Sequence, residues 1–305
     1  MLTTVVSCPN RGRGGDAAYP GNWGGEFVRQ VLDWFHPALV IDVMAGSGTT
    51  GDVAEVMGIP SDCYDLRPDP PVGAGGWNVL EDEPARGAPM VLGHWPYWDM
   101  YRYSEIWGKG DARDLSCVPT YEEFLYLSGR ALARMLQWVD VGGHVGVLVG
   151  SIRRRGRLYD MALDLPKPAP VAYRLIKVQH NTRSDGRQYR GKVLPIVHED
   201  FLVFRRESPY IFSGSVPRHV KWDLRLSPNT TWRGAVYAAL MALGGEADMS
   251  EIYAEIQSFA ITKDRNHFWK EKVRQILQKC ADFSQVRRGR WRVQPAIENS
   301  SQTPA

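Results

Sequence analysis

The sequence of 305 residues has few cysteines, no long apolar segment and little net charge. The four cysteines, Cys8, Cys63, Cys117 and Cys280, form no CxxC pair, which argues against a disulfide scaffold and against a cysteine-based metal site. No stretch approaches the roughly 18 consecutive apolar residues of a membrane-spanning helix. The first residues also lack the basic head and apolar stretch of a signal peptide. We therefore expect reduced thiols, no bound metal, no membrane partner and a cytoplasmic location.

The net charge of +3 conceals an uneven distribution along the chain. Residues 217–293 contain 14 Lys and Arg against eight Asp and Glu, whereas the first 216 residues contain 23 against 25. A basic surplus confined to one region is typical of a module that binds a polyanion. The sequence therefore predicts a near-neutral body followed by a basic C-terminal module.

Helix and strand patterns alternate over residues 1–208, as in an α/β domain. The patterns predict helices over 25–35, 51–57 and 121–138, strands over 39–43, 63–66, 89–92 and 144–149, and a closing hairpin from 173–179 and 193–205. Gly142 and Gly143 are expected to separate the long helix from the strand that follows it. Strands alternating with helices indicate a mostly parallel, Rossmann-like sheet covered on both faces.

A second, smaller domain is predicted for residues 230–293, after a linker over 209–229 that is rich in Pro, Ser and aromatic residues. Three helices are expected, over 231–243, from residue 250 onwards and over 267–280, followed by two short strands within 283–293. This order is typical of a winged-helix-like α+β domain. The polar residues 294–305 are expected to form a disordered tail.

A glycine-rich turn follows the first predicted strand of the α/β domain. It is not a Walker phosphate loop, because Gly51 is followed by Asp and Val instead of Lys and Ser or Thr. Gly46, Gly48 and Gly51 do spell GxGxxG, and Asp65 follows at the distance of a ribose-binding acid. A dinucleotide site therefore stays open, although Asp42 would place a negative charge where pyrophosphate must approach.

S-adenosylmethionine suits the same turn better, because that ligand has no phosphate and carries a cationic amino group. Asp42 could support its amino-acid end, the glycine backbone could pass beneath it, and Asp65 could hold its ribose hydroxyls. A purely structural turn between strand and helix is the third interpretation of these residues.

An aromatic turn, His94-Trp95-Pro96-Tyr97, ends a later strand of the same domain. His94 could accept a hydrogen bond from an exocyclic amine, and the backbone carbonyl of Trp95 could accept a second. Pro96 would stiffen the turn, and Tyr97 could stack on a flat base extruded from a duplex. The alternative is aromatic packing at a strand end.

The two turns together resemble the DNA amino-methyltransferases, which modify adenine N6 or cytosine N4. Residues 42–50 resemble the D-x-F-x-G-S-G-T motif of that family, and residues 94–97 resemble its catalytic [D/N/S]-P-P-[Y/F/W] motif. Residues 19–23 are similar to the segment at the methionine end of the cofactor, and residues 178–182 and 196–205 to the closing hairpin. The resemblance covers residues 7–206. His94 and Trp95 depart from the family pattern: the backbone carbonyl is retained, but the stiffness of Pro-Pro is lost.

The resemblance implies a site-specific enzyme that transfers methyl from S-adenosylmethionine to the amino group of a flipped base in double-stranded DNA, with adenine N6 favoured over cytosine N4. A role in restriction–modification, a homodimer and a cognate restriction endonuclease are compatible with it. The implied catalytic residues are His94, Trp95, Pro96 and Tyr97. The implied cofactor-binding residues are Asn22, Asp42, Ala45, Gly46, Ser47, Gly48, Thr49, Asp65 and Asn78.

Basic residues are the candidates for DNA contact, and they fall in two regions. Solvated surface positions are the alternative explanation for each of them. The candidates are Arg153 and Arg154 after the strand over 144–149, and Lys270, Arg274, Arg287, Arg288 and Arg290 in the C-terminal module. Two rival functions stay open: a catalytically decayed methyltransferase-like DNA-binding protein, and an NAD-dependent oxidoreductase that uses the GxGxxG turn.

Overall fold

The structure, a computed structural model, describes residues 2–108, 110–180, 194–208, 214–217, 231–259 and 267–294. The chain divides into two units, Met1–Arg218 and His219–Ala305. Most of the predicted linker and nearly all of the predicted tail lie outside the described residues. No helix in the described part of the chain is long and apolar enough to cross a membrane.

A seven-stranded sheet is formed by the described residues of the larger unit, in the order β1-β8-β9-β5-β4-β2-β3. Only β9 runs antiparallel to the other strands of this sheet. The sheet confirms the predicted α/β class, with a mostly parallel Rossmann-like sheet and a closing hairpin. Its strands are β1 (Val5–Ser7), β2 (Val40–Asp42), β3 (Ser61–Cys63), β4 (Ala88–His94), β5 (Val139–Val149), β8 (Val171–Val178) and β9 (His198–Arg205).

Helices cover both faces of this sheet because each has one apolar side. Helix α1 (Gly25–Phe35) packs Phe27, Val31 and Leu32 into the core on one face. Helix α4 (Tyr121–Trp138) is capped by Thr120, whose side chain accepts from the Glu123 N–H, and it packs on the other face. The shorter helices are α2 (Thr49–Val56), α3 (Tyr103–Trp107) and α5 (Met161–Asp164).

The position of β2 creates a crevice at the carboxyl ends of the strands. β2 lies between β3 and β4 in the sheet. The chain therefore continues from β2 to β3 on one side and then returns to form β4 on the other side of β2. In open α/β sheets, ligands bind at the carboxyl ends of the strands at such a switch point. The glycine-rich turn after β2 and the aromatic turn after β4 both lie at this place.

Several elements differ from the predicted ones. Gly142 and Gly143 lie within β5, which follows α4 directly, so the predicted separation there was wrong. The sequence pattern also missed β1, which is only three residues long and pairs with β8, about 170 residues away. A hairpin of β6 (Ser151–Arg154) and β7 (Arg157–Asp160) follows β5 and was not predicted either.

The smaller unit is an α+β arrangement with its own core, built around Val236, Ile252 and Leu277. Its three-stranded antiparallel sheet has the order β10-β12-β11 within the described residues, and β10 was not predicted. The elements are α6 (Trp232–Ala242), β10 (Glu246–Asp248), α7 (Met249–Gln257), α8 (Trp269–Lys279), β11 (Phe283–Arg287) and β12 (Arg290–Val293).

Candidate active site

A pocket with about 770 Å³ of space, open to solvent, lies at the switch point between β2 and β4. Both predicted turns contribute to its walls, together with residues at the ends of the neighbouring segments. The structure thus brings together groups that are far apart in the sequence. The predicted residues that line the pocket are Asn22, Ala45, Gly46, Ser47, Asp65, Asn78, His94 and Pro96.

Asp42 does not line this pocket, and its predicted contact with a cofactor stays a prediction. The side chain is fully buried beneath the turn, where its carboxylate accepts from Thr50 Oγ1 at 2.5 Å and from the Met44 N–H at 3.0 Å. Burial raises the pKa of Asp42 to about 6, although these two hydrogen bonds act against the shift. Asp42 therefore holds the glycine turn against the start of α2.

Gly48 and Thr49 also lie outside the pocket wall. Gly48 has a left-handed backbone, with φ of 85°, and a Cβ there would come within 2.7 Å of Val72. The Thr49 side chain is buried under the N-terminal segment, where a Cβ on Gly15 would strike its hydroxyl. These two residues shape the turn and cover its outer side, which is a structural role.

Asp65 lies just beyond β3 and braces the glycine turn from the side. One carboxylate oxygen accepts from the Gly46 N–H at 2.7 Å, and the other accepts from the Arg67 N–H at 2.8 Å. Burial raises the pKa of Asp65, against the effect of these backbone hydrogen bonds. Since a carboxylate has about four lone-pair sites, it can still accept from hydroxyl groups in the pocket.

Two asparagines line the pocket, but their amides differ in availability. Asn22 is committed to its own loop, because its oxygen accepts from Arg11 and its nitrogen donates to the Tyr19 carbonyl at 2.6 Å. The oxygen of Asn78 accepts from the Leu80 N–H at 3.1 Å, and its nitrogen donates to none of the described residues. Asn78 therefore offers the freer donor to a ligand.

Large apolar side chains form much of the remaining wall, beside Tyr19, Tyr103, Arg113 and Asp114, and sequence reasoning missed them. Trp77 packs against Tyr64 in a tilted arrangement, with 4.8 Å between ring centres, and it faces the pocket beside Leu66 and Val79. Such walls suit a flat aromatic ring. The position of Trp77 next to Asn78 was the available signal, but only the tertiary structure shows that the two share a wall.

Unpartnered polar atoms concentrate at this pocket. Among the described residues, three buried side-chain nitrogens lack a hydrogen-bond partner: Trp23 Nε1, His94 Nδ1 and Trp107 Nε1. All three belong to residues that line the pocket. An unsatisfied buried polar group costs about 1–3 kcal/mol of folding free energy. These three nitrogens are therefore available to form hydrogen bonds with a ligand in the pocket.

His94 is an uncharged imidazole at neutral pH. Burial lowers its pKa to about 4, and the Lys177 ammonium acts in the same direction, against the field of the Glu199 carboxylate and a hydrogen-bonding contact of the ring with the Gly21 backbone. Its Nε2 lies 3.0 Å from the Tyr97 hydroxyl oxygen, and Trp23 packs on the ring at 5.4 Å between centres. No described group meets hydrogen-bond geometry at Nδ1.

Tyr97 lies outside the inner pocket and has a partner that the sequence did not reveal. Its hydroxyl donates a short hydrogen bond to Glu199 on β9, and burial raises the pKa of Tyr97 well above its usual value. The ring packs against Gly150, where a Cβ would approach it to 2.5 Å. Tyr97 lines an adjoining second cleft, so its predicted stacking on a base stays a prediction.

Trp95 lacks the backbone rigidity of the proline typical of this motif, but its side chain is anchored in the core. The ring is 1% exposed, and its Nε1 donates to Ser128 Oγ on α4 at 2.9 Å. The backbone N–H of Trp95 donates to the Leu148 carbonyl at 2.9 Å. No described residue donates to the Trp95 carbonyl, which leaves that oxygen available. The turn is thus held at two points.

The second cleft is wider, with about 2110 Å³ of space open to solvent. It shares Tyr19, Gly21, Asn22 and Tyr103 with the inner pocket, so the two adjoin. Arg153 and Arg154 line it as well, and Arg154 is paired with Asp99 at 3.0 Å. Sequence reasoning missed the other cationic and aromatic residues of this cleft, Arg11, Lys177 and Tyr101.

The predicted basic residues of the smaller unit differ in how far they are neutralised. Arg290 pairs with Glu246 at 2.6 Å and with Asp248 at 2.9 Å, and Arg287 pairs with Asp248 at 3.2 Å. Lys270 lies over the rings of Tyr253 and Trp269, and Arg274 donates to the Tyr253 hydroxyl and lies 3.8 Å from the Glu271 carboxylate. No described residue pairs with Arg288, which is exposed.

No protein-family model and no curated protein matches the sequence. Among solved structures, TrmN from Thermus thermophilus is 15% identical over 60% of this chain and 48% of its own, with a TM-score of 0.37. The N-methyltransferase NodS from Bradyrhizobium japonicum WM9, in complex with S-adenosyl-L-homocysteine, is 11% identical over 63% of this chain and 90% of its own, with a TM-score of 0.37.

A third structure is the 1,6-didemethyltoxoflavin-N1-methyltransferase of Burkholderia thailandensis, bound to its substrate and S-adenosylhomocysteine. It is 14% identical over 63% of this chain and 80% of its own, with a TM-score of 0.35. This chain covers about half the length of TrmN. Similarities at this level assign neither a family nor an activity.

Proposed function

We propose that this protein is an S-adenosylmethionine-dependent methyltransferase that modifies the exocyclic amino group of a flipped base in DNA, with adenine N6 favoured over cytosine N4. One observation carries the proposal: the turn after β2 and the turn after β4 open into the same pocket, which holds Asp65 and the uncharged His94. A site for a ribose and a site for an amine therefore adjoin.

The donor and acceptor set of the pocket fits the cofactor. Asp65 offers carboxylate lone pairs to a ribose diol, Asn78 offers an amide donor, and Trp77 offers an apolar wall for adenine. The unpartnered nitrogens of Trp23 and Trp107 provide further donors at the same pocket. When bound, S-adenosylmethionine supplies an electrophilic methyl group on a positively charged sulfur.

The residues of the aromatic turn act on the amine. An exocyclic amino nitrogen is a poor nucleophile because its lone pair is delocalised into the ring. Two acceptors, His94 Nδ1 and the Trp95 carbonyl, would hold its two N–H groups and favour the pyramidal geometry in which the lone pair is available. Because His94 is uncharged, it can accept the hydrogen bond and take the proton released on methylation. Fixing the amine in this way supplies part of the rate by orientation.

A polyanionic substrate fits the second cleft. Arg11, Arg153, Arg154 and Lys177 line it, and it opens beside the inner pocket through residues common to both. Phosphate contacts from such residues position a nucleic acid without reading its sequence. Tyr97 and Tyr101 provide aromatic faces in the same cleft.

The smaller unit is the proposed target reader. Its element order and its pairing of β10 with β12 support a winged-helix-like arrangement. Lys270 and Arg274 on α8 and the exposed Arg288 between β11 and β12 are the residues proposed to contact DNA. The ion pairs of Arg287 and Arg290 assign those two arginines mainly to the stability of this unit.

Mass spectrometry of nucleosides tests the proposal. Mixed-sequence duplex DNA incubated with the protein and S-adenosylmethionine is expected to contain N6-methyldeoxyadenosine, or else N4-methyldeoxycytidine. A parallel incubation with RNA of the same sequence is expected to contain no methylated base. Bound but unmodified DNA would instead support the catalytically decayed alternative.

Thermal unfolding distinguishes the proposed cofactor from NAD. S-adenosylmethionine at about 100 times its dissociation constant should stabilise the protein by about 2.7 kcal/mol, which is about 5–10 °C in the unfolding midpoint. The Asp65→Asn variant should lose most of this shift, because the amide removes a carboxylate oxygen from the pocket. Asp62→Asn is the matched control: Asp62 lies on β3 and pairs with Arg86 outside the pocket. Stabilisation by NAD in place of S-adenosylmethionine would favour the oxidoreductase.

A further inference from the structure

Four polar side chains form a continuous chain from β8 to the end of β4. Lys177 Nζ lies 2.5 Å from Glu199 Oε2, and Glu199 Oε1 accepts the short hydrogen bond from the Tyr97 hydroxyl. The Tyr97 oxygen in turn lies 3.0 Å from His94 Nε2. Lys177 and Glu199 face each other because the antiparallel register pairs these two positions. Glu199 lies in the segment that resembles the closing hairpin, but neither Lys177 nor Glu199 was among the site residues predicted from the sequence.

The direction of each hydrogen bond in this series follows from the charges of Lys177 and Glu199 at one end of it. An ammonium only donates, and an ionised carboxylate only accepts. Burial acts to raise the pKa of Glu199, but the Lys177 ammonium, the field of His94 and the hydrogen bonds from Lys177 and Tyr97 together outweigh it, so the pKa lies below its usual value and Glu199 is ionised. The single proton of the Tyr97 hydroxyl is therefore donated to Glu199, which leaves only oxygen lone pairs facing His94.

These lone pairs decide which nitrogen of His94 carries its proton. A lone pair on the Tyr97 oxygen requires a donor opposite it, so Nε2 holds the proton. The ring carries one proton at neutral pH, since its pKa is about 4 because of burial. Nδ1 then carries the ring's lone pair, and no described residue meets full hydrogen-bond geometry with it.

We propose that Glu199 is a positioning residue that acts through Tyr97 to hold His94 in its Nε2–H tautomer, so that Nδ1 is presented as the acceptor for a substrate N–H, with Lys177 keeping Glu199 ionised. The consequence for methyl transfer rests on the proposed function, whereas the tautomer is a property of the resting protein. In serine proteases the analogous loss of a tautomer-setting carboxylate costs about 10⁴ in kcat without altering the geometry.

The Glu199→Gln variant should reverse the direction of the hydrogen bonds between residue 199, Tyr97 and His94. Lys177 needs an acceptor, so the amide oxygen is expected to face it and the amide NH₂ to face Tyr97. The Tyr97 hydroxyl would then donate to His94 Nε2, and the proton would move to Nδ1. We expect kcat to fall about 10²-fold or more, with little change in the KM for S-adenosylmethionine.

Long-range ¹H–¹⁵N correlation spectra of ¹⁵N-histidine-labelled protein at neutral pH measure the tautomer directly. The sequence has seven histidines, and the signal that disappears in His94→Gln identifies His94. Wild type should show a protonated Nε2, and Glu199→Gln should show a protonated Nδ1. Asp200→Asn is the matched control, because Asp200 is also buried on β9 and pairs with Arg174 on β8 at 2.8 Å. It should leave both the His94 signal and kcat unchanged.

A protonated Nδ1 in wild type would overturn the proposal, as would an unchanged His94 tautomer in folded Glu199→Gln. The wild-type spectrum decides the matter even where the variant fails to fold. A protein with the expected tautomer that methylates no nucleic acid would refute the proposed function but leave the assignment of Glu199 intact.

Discussion

Replacing His94 with alanine should lower the rate of base methylation by about 10²–10⁴-fold while leaving S-adenosylmethionine bound with nearly the same affinity. The variant removes the Nδ1 acceptor, so one N–H of the amine loses its partner and the released proton loses its acceptor. The main groups proposed to hold the cofactor, Asp65, Trp77 and Asn78, are not hydrogen-bonded to His94, although Trp23 packs on its ring. Tyr97 also keeps its hydrogen bond to Glu199 in the variant.

A conservative replacement separates lost chemistry from lost structure. His94→Asn restores a side-chain carbonyl that can accept an N–H, and should therefore recover part of the rate lost in His94→Ala. Single-turnover methylation and calorimetric titration of S-adenosylmethionine measure the two quantities. The control is His36→Asn, because His36 is exposed beyond α1 and its left-handed backbone, with φ of 45°, tolerates Asn. Full activity of His94→Ala would refute the assignment of the aromatic turn.

The sheet and its switch point could be predicted because they depend on local patterns. The β-branched run at Leu39–Val43 and the apolar run at Pro89–Leu92 both contributed parallel strands, and the first was followed by the glycine-rich turn. Once two parallel strands are neighbours, their carboxyl ends meet. The joint location of Asp65 and His94 in one pocket therefore followed from the order of the elements.

The direction of individual side chains could not be predicted from the same patterns. Asp42 stands at the expected place in the motif, but its carboxylate is taken by Thr50 and the Met44 N–H beneath the turn. Whether a carboxylate at a strand end turns towards the ligand or towards the following helix depends on the hydroxyl groups that the helix presents. The Glu199–Tyr97 contact joins residues 102 positions apart, and no local spacing records it.

The number of basic residues in the C-terminal module also overestimated the basic surface available to a polyanion. Arginines were counted as a basic surface, although Asp248 lies opposite Arg290 across β10 and β12, and Glu246, opposite Arg292, also forms an ion pair with Arg290. Antiparallel pairing brings these charges together, and β10 was not recognisable as a strand. The excess of basic residues is real, but fewer of the arginines are available to phosphates than the composition suggests.

Trp95 is expected to contribute as much to the stability of the larger unit as to the shape of the aromatic turn. Trp95→Ala should destabilise the larger unit by about 3–5 kcal/mol, because it removes a ring that is 1% exposed and leaves a cavity beside α4. Trp95→Phe should cost about 1–3 kcal/mol, because it retains most of the buried ring but leaves the Ser128 hydroxyl without the indole N–H.

Trp95→Pro would restore the residue typical of the motif that this turn resembles, yet it should be at least as destabilising as Trp95→Ala. Proline lacks the indole ring, and it also lacks the N–H that donates to the Leu148 carbonyl. Urea unfolding followed by tryptophan fluorescence measures each variant. Trp34→Ala is the control: this tryptophan is 49% exposed on α1, so its loss should change stability by less than about 0.5 kcal/mol. A stable and active Trp95→Pro variant would show that backbone stiffness, and not the anchored indole, is what this turn requires.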